Sequence, residues 1–270
     1  MKIMSEKAET EMKSEKKQTK YSGFGTYTIT DALELTLPKT EISITHESDN
    51  KFSYRRKNSE NEITNKLVSA SSNTLKIELA PILPLNLPAK KTNDLMFLRL
   101  QKQIYVGKKS KLDVLVQFPI EIGVFVVDDA GTFDFFDCFT CEPMNSRFAL
   151  YGTPEKGNLC MYSKVSVLNE YVPQDYFYAI IKATIENTLD KGVQAGKFVF
   201  PVTYHDIYYK DGSSEAHIDD IKVTIDENIT GTIAKISHAP FSKKDLDWKL
   251  APRSAEKTEQ LEFVMDRGFD

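Results

Sequence analysis

The chain has 270 residues, 41% of them hydrophobic and 27% charged, with a formal net charge of −4. That is enough apolar material for one large or two ordinary domains, and too mild a charge for a whole-molecule field that draws in nucleic acid or anionic lipid. No apolar run is long enough to span a membrane as a helix, and three cysteines are too few, and odd in number, for a disulfide framework.

Met1 to Lys20 is rich in lysine and glutamate and has almost nothing to bury, so residues 1–20 are expected to form a disordered charged tail. The tail lacks the apolar stretch of a secretory signal, and the expected location is the cytoplasm. A first β-sandwich is expected over residues 21–130. Leu33, Leu35 and Leu37 alternate up to Pro38, Ile42 and Ile44 follow, and Phe52 and Tyr54 open a third run. A polar loop is expected from Arg55 to Lys66. Alternation returns at Leu75-Ile77-Leu79, Met96-Leu98-Leu100, Ile104-Val106, Leu112 to Phe118 and Ile122 to Val126. Runs spaced by roughly 8–12 residues with turn signals between them are the rhythm of a sandwich or barrel.

Asp128 to Lys164 mixes aromatics, acids and cysteines without steady alternation. Residues 131–170 are therefore expected to be a structured connection, the kind of segment that more often carries function than strands do. A second sandwich is expected over 171–240, with runs at Ile181 to Ile185, Phe198 to Tyr204, Ile221 to Ile225 and Ile229 to Ile233, and a hairpin turn at Lys210-Asp211-Gly212-Ser213. Residues 241–270 are expected to pack on the core as a C-terminal arm, with a short helix begun by Ser242. The fold class expected is all-β, two immunoglobulin-like or related antiparallel sandwich halves with a long irregular connection.

Candidate chemistry is sparse. Cys138 and Cys141 form a CxxC pair and Cys160 lies in the same segment, but a zinc site needs four ligands and a redox pair needs a helix start. Buried apolar thiols are the favoured reading, with Cys138, Cys141 and Cys160 the metal candidates if there is a metal. His205 and His217 flank the hairpin, and a two-residue turn would point them to opposite faces. Asp128, Asp129, Asp134, Asp137 and Glu142 are loop acids whose separations the sequence does not define. Basic residues cluster at Arg55-Arg56-Lys57 and Lys108-Lys109-Lys111 in predicted turns, where charge faces water. A nucleic-acid groove would instead interleave aromatics with charge on one sheet face. Pro81-Ile82-Leu83-Pro84 has polyproline spacing, but its flanking leucines favour a buried crossing.

The phrases ELAPILPLNLP, FPIEIGVFV, RFALYGTPEKGNLCMY and VMDRGF resemble the archaeal proteins grouped as domain of unknown function 432, over about Phe24 to Phe269. The resemblance implies a cytoplasmic protein and no particular chemistry. Where that family favours a basic residue after the cysteine at 160, this chain has Met161.

A non-catalytic binding or regulatory protein is the expected function. No cofactor is expected, and the expected partner is a protein or small molecule rather than nucleic acid. A polar pocket built from Arg147, Tyr151, Lys156 and Tyr162 is the expected binding site. A metal-dependent enzyme using the cysteines or the hairpin histidines is the first alternative. A structural partner of a membrane or channel protein, tethered by the tail but not itself an integral membrane protein, is the second.

Overall fold

The computed structural model describes residues 21–87, 94–141, 148–242, 247–254 and 262–266. The charged tail and most of the segment following Ser242 lie outside the described residues, as do Glu142 and Arg147.

The described chain is all-β and contains no helix. Its first strands are β1 (Gly25–Ile29), β2 (Ala32–Leu37), β3 (Thr40–Ser48), β4 (Lys51–Asn58), β5 (Ile63–Ser69), β6 (Leu75–Ile82) and β7 (Leu95–Val106). There follow β8 (Lys111–Pro119), β9 (Glu121–Val127), β10 (Phe133–Phe139), β11 (Phe148–Tyr151), β12 (Asn158–Val165), β13 (Val167–Leu168) and β14 (Tyr178–Asn187). The last are β15 (Val193–Pro201), β16 (Ile207–Lys210), β17 (Ala216–Ile218), β18 (Asp220–Asn228), β19 (Gly231–Ala239), β20 (Trp248–Leu250) and β21 (Glu262–Met265).

Four sheets result. One runs β1-β6-β9-β10, and another is the meander β2-β3-β4-β5. A third has the order β11-β12-β7-β15. The largest has nine strands, with β14 at its centre between β8 on one side and β17 and β18 on the other. Most neighbours are antiparallel, but β12 runs parallel to β7, and β14 is parallel to β17 and β18.

Boundaries at residues 130 and 171 do not separate these sheets. β7 and β8, from the first part of the chain, pair with β15 and β14 from the second. The segment expected to be an irregular connection contributes β10, β11, β12 and β13. Its alternation is hidden partly by a bulge between Phe135 and Asp137, which shifts the side chains on β10 by one position.

The expected loop from Arg55 to Lys66 is the end of β4, a turn, and the start of β5. Arg56 and Lys66 face inward there, so a charge sits where periodicity looks for an apolar residue. The runs around Leu98 and Ile104 are one strand, and Ile229 sits at the exposed tip of the β18–β19 hairpin rather than in a strand. Pro81 lies just past Leu79, the last residue of β6 that β1 covers, so it removes no donor from that ladder. Residues 81–84 are all buried, as a crossing requires.

The sheets are fastened by buried side chains. Glu78 of β6 accepts from the Tyr209 hydroxyl of β16, and Phe118 of β8 packs against Phe200 of β15. Gly23 crosses the hairpin so closely that a Cβ there would meet the Gly212 carbonyl carbon at 2.2 Å. Only glycine permits that approach.

Candidate functional site

The cysteines divide between sheets. Cys138 is on β10 and Cys141 just beyond it, and both line a cleft with Lys39, Arg56 and Phe139. Cys160 is on β12, in the ladder between β11 and β7. All three are free thiols. Burial pushes Cys138 and Cys141 up to about 12 and Cys160 to about 11, so they stay protonated and unreactive near neutral pH. Among the described residues, no group of three His, Cys, Asp or Glu side chains converges as metal ligands would.

The hairpin histidines also separate. The β16–β17 register sets Tyr208 opposite His217, and Lys210 N–H donates to Glu215 O, so the loop holds four residues rather than two. His205 packs against Phe200, Tyr204 and His238. His217 stacks on Phe241 at 3.9 Å and lies 2.6 Å from the Ile218 carbonyl. Burial lowers its pKa to about 4, which leaves it neutral. His238 does meet Asp219 at 2.8 Å, the pairing from which hydrolases build a base. Asp219, however, is fully engaged by the backbone N–H groups of Asp206 and Phe241, and among the described residues no hydroxyl or thiol hydrogen-bonds His238. The arrangement fixes the end of a hairpin.

Asp137 is the centre of a closed charge cluster. Its carboxylate meets Arg56 Nε at 2.8 Å and Lys66 Nζ at 3.0 Å, and it accepts from the Tyr54 hydroxyl at 2.8 Å. Burial alone would raise this carboxyl, but hydrogen bonds and charge from Arg56 and Lys66 hold it below the usual range. Arg56 also lies over the Phe139 ring and Lys66 over Phe136. The basic pair Arg55-Arg56 is therefore split by strand alternation, with one residue outward and one committed to the core. Glu121 is a second buried carboxylate. It receives N–H groups from Asn86 and Leu87, yet burial dominates and raises it to about 7.

A different arrangement occupies the sheet β11-β12-β7-β15. Register places Lys164 of β12 beside Arg99 of β7, and Arg99 beside Lys197 of β15. Paired positions put their side chains on one face, so three cations stand abreast, about 4.8 Å apart from strand to strand. The next rank holds Tyr162 beside Phe97, their rings 5.6 Å apart and nearly edge to face. The Lys197 ammonium lies over the Phe97 ring at 5.7 Å.

Beyond Arg99 the β7–β15 ladder breaks. Arg99 pairs with Lys197 but Ile104 pairs with Ala195, so residues 100–103 of β7 face the single residue Gly196. This irregularity opens a groove of about 490 Å³ lined by Arg99, Gln101, Gln103, Tyr162, Lys164 and Gly196. A Cβ on Gly196 would stand 3.3 Å from Gln103 Cγ, so any larger residue there fills the floor. Among the described residues none of Arg99, Lys164 and Lys197 has an acidic partner, and the amides of Gln101 and Gln103 and the Tyr162 hydroxyl make no internal hydrogen bond.

Of the residues singled out from sequence, Tyr162 lines this groove. Tyr151 does not line it: it is buried between Phe97 and Phe263, and its hydroxyl receives the Asp266 N–H at 2.9 Å. Lys156 is exposed in the β11–β12 turn, away from the rank. Arg147 lies outside the described residues. Arg99, Lys164, Lys197, Gln101 and Gln103 carry no local signal, because each is an isolated polar position in its own strand. Only the pairing of three strands makes them a group.

The fold thus defines an all-β protein with a basic, aromatic-edged groove on one sheet. The chain belongs to the family described as protein of unknown function (DUF432), which it matches over residues 23–266. No curated protein and no solved structure matches significantly.

Proposed function

We propose that this protein is a non-catalytic binding module whose ligand is anionic and whose recognition surface is the groove beside Arg99. The carrying observation is the rank Lys164–Arg99–Lys197, three neighbouring cations with no carboxylate between them among the described residues. Holding like charges abreast is unfavourable, and an anion relieves the repulsion while gaining guanidinium and ammonium hydrogen bonds. The groove's volume falls within the range of about 300–1,000 Å³ usual for small-ligand sites. The described groove offers donors and a positive charge, and no nucleophile with an adjacent base lies in it.

Tripolyphosphate titrated into the purified protein by calorimetry tests this reading. The expected result is saturable binding at moderate salt, weakened at least tenfold in the double variant Arg99→Ala, Lys164→Ala. Absence of binding to the wild-type protein, or equal binding by the folded double variant, overturns it.

A further inference from the structure

Resting on that reading, we infer that the anion belongs to a nucleotide, with its phosphates on the Lys164–Arg99–Lys197 rank and its base in the bulge. Phosphate alone would need only the cations. The groove supplies two further chemistries on the same face.

The first is a planar aromatic surface. Tyr162 is half-buried in the rank next to the cations, held upright by the edge of Phe97. Phe97 in turn meets the Tyr151 ring edge-on, with centroids 6.5 Å apart. A ring fixed in this way offers a stacking partner at little entropic cost, and stacking on aromatic side chains is the general means by which proteins hold unpaired bases.

The second is a pair of carboxamides. Gln101 and Gln103 lie in the bulged stretch of β7, on the groove wall beside Arg99. A carboxamide donates and accepts at once, which suits the edge of a base and is wasted on a phosphate. The polar clusters at Asp137, Glu78 and Asp219 are by contrast satisfied internally. Here a phenol and two amides line one groove with Arg99 and Lys164, with Lys197 next in the rank, and leave their hydrogen-bonding capacity for a ligand.

The same nucleotide chemistry can come from a free nucleotide or from one unit of a single strand. The length of the cation rank covers three strands and no more, which favours a free nucleotide or a strand only a few residues long.

Titration of the full-length protein with ATP, tripolyphosphate and a short single-stranded oligoadenylate tests the inference. ATP is expected to bind at least tenfold more tightly than tripolyphosphate. Tyr162→Ala is expected to remove most of that advantage, lowering ATP affinity by a larger factor than tripolyphosphate affinity. Tyr162→Phe should restore the advantage. Gln101→Ala should alter the preference between ATP and GTP. If the oligonucleotide gains over ATP in proportion to its length, the source is a single strand; if it does not, the source is free nucleotide. Equal affinity of ATP and tripolyphosphate, both lost in Arg99→Ala, overturns the nucleotide inference and leaves the anion-binding reading standing. Failure of all three ligands to bind removes both. Circular dichroism and thermal melting confirm that each variant is folded before it is counted.

Discussion

At Asp137, Arg56 and Lys66 lie over phenylalanine rings and share one buried carboxylate; at Arg99, three cations lie side by side next to an aromatic rank and meet no carboxylate among the described residues. Both regions put basic residues on strands next to aromatic rings. The difference is whether the opposing charge is built into the chain. Where it is, the charges tie the β2-β3-β4-β5 meander to β10 and become part of the fold. Where it is not, the sheet carries a standing repulsion that a ligand can relieve. Cationic residues beside aromatics thus do not mark a site until their counter-charge has been sought.

Substitution separates the two regions most sharply at Asp137. Asp137→Ala leaves Arg56 and the Tyr54 hydroxyl without their acceptor and is expected to lower unfolding free energy by about 3 kcal/mol, read as a reduced urea midpoint. A loss below about 0.5 kcal/mol would show that the cluster does not hold the meander in place.

Glu121 gives the next largest effect, through pH. Its carboxyl is raised to about 7 in the folded protein, above its unfolded value, so its contribution is fully present in acid and lost as pH rises through about 7. Between pH 5 and pH 8 the stability difference between wild type and Glu121→Gln should shift by about 2 kcal/mol against the wild type. Denaturant titrations at the two pH values check this, and a constant difference would place the carboxyl in its ordinary range. Asp137 has the opposite sign. Its carboxyl is held below the unfolded value, so its contribution is lost only as the medium falls below about pH 4.

Arg99→Ala is expected to cost at least tenfold in anion affinity, about 1.4 kcal/mol, while thermal stability stays within about 0.5 kcal/mol of wild type. A large stability loss would move Arg99 into the same class as Arg56. Salt gives the smallest contrast. Raising it from 50 to about 200 mM should weaken groove binding severalfold, because exposed charges are screened, and should leave the Asp137 contribution nearly unchanged. Parallel titrations and melts at both salts measure it.

The strands were legible wherever one face meets solvent and the other the core. Leu35, Leu37, Ile42 and Ile44 alternate in the sequence and are buried in β2 and β3. Legibility failed where an inward residue carries a charge, as at Arg56 and Lys66, because hydrophobic period then reports a loop. It failed again in β10, where the bulge shifts the phase. The hairpin after Lys210 was visible from Asp211-Gly212, but its register depended on a loop length that turn residues alone do not set. Tyr162 could be chosen as a polar aromatic in an unusual segment. Its partners could not, because Arg99, Lys164 and Lys197 become neighbours only through the order β12-β7-β15.

That strand order also bears on how the chain is made. β7 emerges before either of its partners, and β15 comes from the last third of the sequence. Until both arrive, a twelve-residue strand has two open edges, a template for pairing with any other nascent chain. Arg99, Gln101, Lys102 and Gln103 interrupt its apolar run in the middle. Charged and polar residues at such positions act as gatekeepers against aggregation. The residues that line the groove of the finished sheet are therefore also the ones placed to keep β7 soluble while it waits for its partners.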